Sequence, residues 1–531
     1  MPKVASWNLE SPVIMRVASR VVLRDSELKT ARPHSETSQS PNIRTLTLLF
    51  LLAAVAIVVH GYHPFVEDAE IYVPGIKKLL IPALYPYNTG FFASHASRTL
   101  FPNVIAWSVR VTHFPLEWVL LLWHFASVLC LLAGCWQLAR ICFGTARAAW
   151  GGALLVASML TIPVAGTALY IMDQYLNPRS FSTAAVVWIL LAVIRQRFIS
   201  AALISLVAAL IHPLMAVFTI VFAVILLGYE LRSSPSNSKP ALAIVPVALF
   251  PPVTSAYRQV LDSHSYFFIL QWQWYEWLGI VGPLIILWLV GRMAMRKQLL
   301  KLNSLCASSV TFGVIFFVVA LAITVPSQYA RLAELQPMRS LQFVYILLLT
   351  ISGGALAEYF LKAKISRWLV LLFPLTVGMF YAQRQLFPDT HHLELPGRNP
   401  ANQWVETFIW IRANTPMNAY FALDPDHMRL SGEDQHGFRA IAERSMLADR
   451  VKDSGAVSMF PALAETWLEQ VSDENEWSRF GAEDFRRLQL KYGIDWVVVQ
   501  QPGVRGLDCP FQNSTLAVCR VRNQPQNPRT Q

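Results

Sequence analysis

Long apolar runs separated by short basic segments constrain this chain more than any other feature of its sequence. The first run, TLTLLFLLAAVAIVVHGY at 45–62, is long enough for a helix to cross a hydrocarbon core about 30 Å thick. Similar runs recur until about residue 383 in a chain of 531 residues that is 54% hydrophobic and only 15% charged. A backbone in lipid must satisfy its own hydrogen bonds, so such runs fold as helices. The sequence therefore predicts a polytopic α-helical membrane protein.

About eleven spans are predicted, and one stretch is ambiguous. The run 198–229 forms either one long element or two helices broken at His212-Pro213, because proline removes a backbone donor and crowds the preceding turn. With the break included, the predicted spans are 45–62, 117–138, 149–171, 181–194, 198–211, 213–229, 241–257, 276–291, 307–325, 341–360 and 368–383.

The Lys and Arg residues predict the orientation of these spans. If the N-terminus is cytoplasmic, every inner segment is basic and the outer segments carry fewer Lys and Arg for their length. The net charge of +11 then follows from membrane topology and needs no nucleic-acid partner. We therefore expect a cytoplasmic tail at 1–44, a transmembrane module at 45–383 and an extracytoplasmic domain at 384–531. The first outer loop, 63–116, contains amphipathic stretches that predict short helices on the membrane surface.

From about residue 384 the composition is that of a soluble α/β domain. NQWVETFIWIRANTP and EDFRRLQLKYG predict helices, whereas MNAYFALD, IDWVVVQ and LAVCRV predict strands. Cys509 and Cys519 flank a turn before the last strand, so in an oxidising compartment they are expected to close a hairpin as a disulfide. Two free buried thiols are the alternative.

Three carboxylates, those of Glu67, Asp68 and Glu70, follow the first span in the stretch VEDAEIY at 66–72. A carboxylate at a helix centre costs about 2.5 to 3.5 kcal/mol on insertion scales, so we place these residues at the outer mouth of the span. A carboxylate there suits general-base chemistry on a lipid-borne substrate. A solvated helix end, or a local ion pair with Lys77 or Lys78, is the alternative.

Three arginines are predicted to lie on the same membrane face. Arg179 belongs to LNPRS at 176–180, and Arg331 and Arg339 flank the stretch before the span at 341–360. A guanidinium offers a planar fork of donors and stays charged, so these residues are candidate phosphate contacts. Contacts with lipid head groups or acidic side chains are the alternative. His212 is placed on this face too, either as a substrate contact or as a helix-end residue that satisfies the backbone.

The acidic motif directly after the first span, with Tyr72 close behind it, resembles the GT-C superfamily of integral-membrane glycosyltransferases. The long first outer loop, the many spans and the C-terminal α/β domain fit the same superfamily. In that domain, WIRANTP at 410–416 and YGIDWVVV at 492–499 are similar to motifs of bacterial members. The resemblance covers most of the chain from about residue 45 and implies a GT-C-like fold in a bacterial inner membrane.

The resemblance also implies a reaction, the inverting transfer of a sugar from a polyprenyl-phosphate-linked donor to an acceptor. The acceptor is a lipid, a glycan or a protein. An acidic residue of the first outer loop would be the base, which by position is Asp68 or its neighbour Glu67. Glu70 and Tyr72 are expected to contact the substrate beside Arg179 and the other residues of this face.

No cofactor is predicted and no metal is assigned, although a divalent ion stays possible. Oligosaccharyltransferase-like members hold such an ion with acidic residues and a WWD-type motif, which this sequence lacks. Asp262 is the residue that would offer a second metal ligand. Two other functions stay open, namely a catalytically inactive GT-C-like binding or assembly protein and a membrane transporter. The spans contain few ionisable residues, which disfavours the transporter.

Overall fold

The computed structural model describes residues 42–232 and 253–521 of the chain. Residues 1–41 of the predicted tail lie outside this part, as do residues 241–252 of the predicted span at 241–257. The chain divides into two compact units after Leu48, and every side-chain contact described below lies within the unit that begins at Leu49.

Most of the described residues are helical, and seven helices among them are long and apolar enough to cross a membrane. They are Ile43–His60, Leu116–Phe143, Pro213–Leu231, Trp274–Arg296, Leu300–Thr324, Tyr329–Leu361 and Ile365–Leu386. The sixth contains the 3-10 segment Pro337–Ser340, the α-helix Leu341–Ala355 and the π-helix Leu356–Leu361. Helices of this length and composition indicate a protein embedded in a membrane.

The predicted number of eleven spans is not confirmed. Seven of the predicted spans coincide with the long apolar helices in the described part of the chain. Three others correspond to shorter helices, which are Ala146–Ser158, Pro178–Ile194 and Phe198–Ile211. The remaining one, 241–257, falls largely outside the described residues, and its last residues begin the helix Ser255–Asp262.

The prediction of a continuous span at 149–171 is wrong in its second half. The helix ends at Ser158, and the chain continues through a turn in which Pro163 pairs with Tyr170 in an isolated β-bridge. Proline removes a backbone donor from a helix interior, and Gly166 packs against the Trp272 ring where a Cβ would come within 2.5 Å. The apolar residues of this stretch are therefore buried in a turn and do not form the second half of a helix.

The ambiguity at His212-Pro213 is resolved in favour of two helices. The first ends at Ile211, His212 has φ −148° and ψ 86°, and the next helix begins at Pro213. Proline is well tolerated at a first helical position, because the N–H that it lacks would have no partner there.

The first outer loop forms three short helices, Ala69–Leu80, Gly90–Ala96 and Phe101–Thr112. Val73 and Ile76 from the first of them share a buried core with Phe101 and Ile105 from the third. Ala440 of the C-terminal domain belongs to that core as well. The loop therefore packs as a layer that contacts the C-terminal domain.

The C-terminal domain is built on a sheet of five strands within the described residues. The strands are β1 (Tyr420–Ala422), β2 (Ser445–Met446), β3 (Trp496–Gln500), β4 (Asp508–Gln512) and β5 (Leu516–Arg520). Their order is β2-β1-β3-β5-β4, with β1 parallel to β2 and β3, and β5 antiparallel to β3 and β4. The domain also contains the helices Gln403–Asn414, Phe438–Ala442, Asp453–Met459, Ala464–Asp473 and Ala482–Tyr492.

Alternating side chains of β3 explain why the domain has helices on both faces of the sheet. Trp496 and Val498 join the core under the helix Gln403–Asn414, whereas Val497 and Val499 join the core under Ala482–Tyr492. The two predicted helices and three predicted strands are confirmed. The structure also joins Cys509 and Cys519 in a disulfide, on neighbouring strands β4 and β5.

Candidate functional site

Asp68 lies at the start of the helix Ala69–Leu80, just beyond the first apolar helix, and is the centre of a cluster of charges. Its Oδ2 accepts from Arg179 Nη1 at 3.0 Å, and its Oδ1 accepts from Lys452 Nζ at 3.2 Å. Burial favours a raised pKa for Asp68, but the Lys452 and Arg179 charges outweigh it and hold the pKa well below its usual range. Asp68 is therefore ionised at neutral pH.

Arg179 is held in place from both sides. It belongs to the first turn of the helix Pro178–Ile194, where the Asn177 side chain accepts the N–H of Ser180 and caps the helix. Arg179 Nη2 donates to Asp173 Oδ2 at 3.0 Å, and the same oxygen accepts from Asn177 Nδ2 at 2.6 Å. The guanidinium thus bridges Asp68 and Asp173 while only 4% exposed.

Lys452 is the site residue that sequence reasoning missed most clearly. It comes from the C-terminal domain and immediately precedes the helix Asp453–Met459. Its ammonium contacts both Glu67 and Asp68. Glu67 has a positive φ of 56°, and its backbone N–H donates to Gln435 O at 2.9 Å. In the sequence, VKDSG has the composition of an ordinary exposed helix start, so no local signal marks Lys452.

Arg339 completes the positive side of the cluster. Its charge lies close enough to Asp68 to lower the pKa of that carboxyl, and its guanidinium lies 5.9 Å from the centre of the Tyr266 ring. Among the described residues it has no ion-pair partner, and its buried Nε has no hydrogen-bond acceptor. Gln336 and Thr167 line the same narrow cleft. This is a guanidinium with donors available for a ligand.

Tyr72 and His212 lie near these charges but contact them less directly. Burial raises the pKa of Tyr72 to about 12, and the Asp68 charge acts in the same direction. His212 is half-buried and lies within reach of the Arg179 and Arg339 charges. Its Nδ1 accepts the backbone N–H of Met215 at 3.4 Å, so part of its role is to satisfy a helix start.

Two of the predicted site residues lie apart from this cluster. Arg331 lies near Glu334 and Tyr257, whose side chains are hydrogen-bonded at 3.3 Å, and it is not among the charges with the largest effect on the pKa of Asp68. Glu70 is fully buried against the C-terminal domain, where its carboxyl group pairs with Arg439. Substrate contacts for these two residues stay predictions, and the structure gives them protein partners instead.

Across residues 42–232 and 253–521, no group of three or more His, Cys, Asp or Glu side chains is arranged to hold a metal ion. Asp262, the candidate second ligand, lies exposed at the end of the helix Ser255–Asp262.

The cluster therefore presents an ionised carboxylate flanked by three cations near the end of an apolar helix. Such an arrangement can bind an anionic group and, beside it, accept a proton. No protein-family model matches the chain, and no curated protein is significantly similar to it.

Proposed function

We propose that this chain is an inverting glycosyltransferase that moves a sugar from a polyprenyl-phosphate-linked donor to an acceptor at the outer face of a membrane. The observation that carries the proposal is the position of Asp68 between Arg179 and Lys452, with Arg339 close by. Chemistry on a lipid-borne phosphate needs positive charge beside a proton acceptor at the level where apolar helices end, and these residues supply both.

In the proposed reaction, the acceptor hydroxyl attacks the anomeric carbon as its proton passes to the Asp68 carboxylate. The bond between that carbon and the phosphate oxygen breaks, and the polyprenyl phosphate leaves with one more negative charge. Arg339, with donors available, and Arg179 and Lys452 would stabilise the charge that develops on the leaving phosphate. The proposed acceptor is a lipid, glycan or protein with a free hydroxyl.

The low pKa of Asp68 fits this role once a donor is bound. Brønsted behaviour favours a base whose pKa lies near the working pH, and in the free protein two ion pairs keep the pKa of Asp68 below its usual range. A donor phosphate would compete for Lys452 and Arg179 and weaken those ion pairs. The pKa of Asp68 would then rise toward a value suited to proton transfer.

The proposed arrangement is GT-C-like, with eleven crossings, a cytoplasmic N-terminus and the C-terminal domain outside. It is supported by the basic segments that recur on one side of the predicted spans. It is also supported by the direct contact of Lys452 with Asp68, because a C-terminal domain on the opposite side from Asp68 would not reach it.

A second candidate is a GT-C-like binding or assembly protein without catalysis. The observation that favours it is that both carboxylate oxygens of Asp68 are already occupied by ion pairs, as in a structural bridge. In that case neutralising Asp68 would change stability but no reaction.

The test is transfer from a panel of labelled polyprenyl-phosphate sugars by the full chain in lipid nanodiscs, compared with Asp68→Asn and Glu67→Gln. Glu483→Gln serves as a matched control, because Glu483 is an exposed carboxylate of the C-terminal domain that pairs with Arg486. We expect transfer to be lost in Asp68→Asn, reduced less in Glu67→Gln and unchanged in the control, with the unfolding midpoint measured for each. Unchanged transfer in Asp68→Asn, or no transfer from any donor, would overturn the proposal.

A further inference from the structure

Two of the polar contacts between the first outer loop and the C-terminal domain lie side by side. In the first, Lys452 reaches Asp68. In the second, Asp453, the next residue in the chain, pairs with Arg439, which in turn pairs with Glu70, two residues after Asp68. The candidate site and a fully buried cluster are therefore neighbouring parts of one contact surface.

The second contact is buried and geometrically specific. Arg439 is 1% exposed and binds Asp453 through two nitrogens, with Nη1 to Oδ1 at 3.0 Å and Nη2 to Oδ2 at 2.6 Å. Nη1 also donates to Glu70 Oε1 at 3.2 Å. The Glu70 carboxylate accepts the backbone N–H groups of Arg439 and Ala440, each at 3.0 Å. A forked guanidinium with fixed donors holds its partners in one orientation more strictly than a point charge.

Hydrogen bonds of the backbone at 449–453 connect the position of Asp453 with that of Lys452. Asp449 accepts the backbone N–H of Val451 at 2.7 Å and also that of Lys452, and its own N–H donates to Asp453 Oδ2 at 2.9 Å. The turn that carries Lys452 is thus fixed between Asp449 and the Arg439-bound Asp453. With this turn in place, the Lys452 side chain extends to Glu67 and Asp68.

We propose that Arg439 is a positioning residue for the candidate site, which acts through Asp453 to hold the Lys452 ammonium against Asp68. The site is therefore complete only when the C-terminal domain is docked on the first outer loop. The geometric part of this inference stands without catalysis, and only its effect on donor binding rests on the proposed function.

The experiment measures the reactivity of Lys452 in the full chain. The protein in nanodiscs is treated briefly with an amine-acylating reagent, and modification is quantified by peptide mass spectrometry. Lys364, an exposed lysine with no ion pair among the described residues, serves as the internal reference. The variants are Arg439→Met, Arg439→Lys and the milder Asp453→Asn, with Arg487→Met as the matched control because Arg487 pairs only with Asp484 at the surface among the ion pairs of the described residues.

We expect Lys452 to be protected in the natural protein and in Arg487→Met. Labelling relative to Lys364 should rise about tenfold or more in Arg439→Met, because a largely buried, paired amine reacts only through its small open fraction. Arg439→Lys should restore part of the protection. If Arg439→Met does not fold, Asp453→Asn supplies the same comparison. Protection of Lys452 in folded Arg439→Met and Asp453→Asn would overturn the inference.

An activity readout separates this inference from the proposed function. If the chain transfers sugar, Arg439→Met should lower kcat/KM for the donor, since Lys452 is proposed to bind the phosphate and to stabilise its developing charge. Absence of transfer in every protein would contradict the proposed function and leave the labelling result to decide the positioning role alone.

Discussion

Gly437 lies so close to Glu70 that a Cβ on Gly437 would come within 2.4 Å of Glu70 Oε2 and within 2.9 Å of Glu70 Cβ. The Gly437 N–H donates to Phe65 O at 2.8 Å on the same surface. The Glu70 side chain lies against Gly437 where its carboxyl group accepts the backbone N–H groups of Arg439 and Ala440. The first outer loop and the C-terminal domain therefore meet without room for a single methyl group.

We expect Gly437→Ala to destabilise the protein by about 1–3 kcal/mol, the usual cost of inserting an extra carbon into a packed contact. The backbone there has an ordinary negative φ of −77°, so crowding and not backbone strain is the cause. The measurement is the unfolding midpoint in detergent. Gly378→Ala is the control, because a Cβ on Gly378 meets nothing within 4 Å and alanine favours a helix. Equal midpoints for the two variants would contradict the crowded contact.

Arg339 and Arg331 are predicted to differ in their contribution to phosphate binding, although the sequence places both on one membrane face. Arg339 has no ion-pair partner among the described residues and lies beside Asp68, whereas Arg331 lies with Glu334. If a phosphate binds here, Arg339→Met should weaken binding of a labelled polyprenyl phosphate by about 10- to 100-fold, the value of a hydrogen bond to a charged group. Arg331→Met should change it little. The measurement is a binding titration in nanodiscs, and equal losses would argue against this assignment.

The buried Glu70 predicts a dependence of stability on pH. Burial raises the pKa of Glu70 to about 8 even though Arg439 opposes the shift, because one guanidinium faces Glu70, Asp449 and Asp453. In the unfolded chain the pKa of this carboxyl is near its usual 4.5. Between these values the folded protein binds more protons than the unfolded chain. The free energy of unfolding should therefore fall as pH rises from about 4.5 to about 8.

Glu70→Gln should remove this share of the pH dependence, since glutamine does not titrate. Unfolding midpoints of the natural protein, Glu70→Gln and the control Glu483→Gln would be compared at pH 5 and pH 8. These values lie near the lower and upper ends of the range between the unfolded and folded pKa values of Glu70. Glu483 is exposed, so its variant should keep the slope of the natural protein. The same slope in all three proteins would show that Glu70 keeps an ordinary pKa.

The Cys509–Cys519 disulfide is expected to contribute about 2–3 kcal/mol to the stability of the C-terminal domain, the amount that loop closure predicts for a short loop. Replacing both cysteines with serine should lower the unfolding midpoint of the domain. The same change in natural protein treated with a reductant would identify the bond as the cause. An unchanged midpoint in the double variant would show that the hairpin is held by β4 and β5 pairing alone.

Features with a local physical cause were predictable from the sequence. Apolar length predicts helices such as Leu116–Phe143, and the His212-Pro213 break follows from a missing donor. A continuous run of β-branched and aromatic residues predicts β3, because a strand covered on both faces buries all of its side chains. The stretch 149–171 shows the limit of this reasoning, since its apolar residues are buried in a turn instead of a helix.

The composition of the candidate site was decided by tertiary structure alone. Asp68 and Glu70 share one acidic motif, yet Asp68 joins Arg179 and Lys452, whereas Glu70 is buried with Arg439. Their partners lie 111 to 384 positions away in the chain, so no periodicity or spacing connects them. Sequence patterns report which residues can be buried or charged. Which charges meet depends on how the first outer loop and the C-terminal domain pack, because Coulomb interactions act through distance in space and not along the chain.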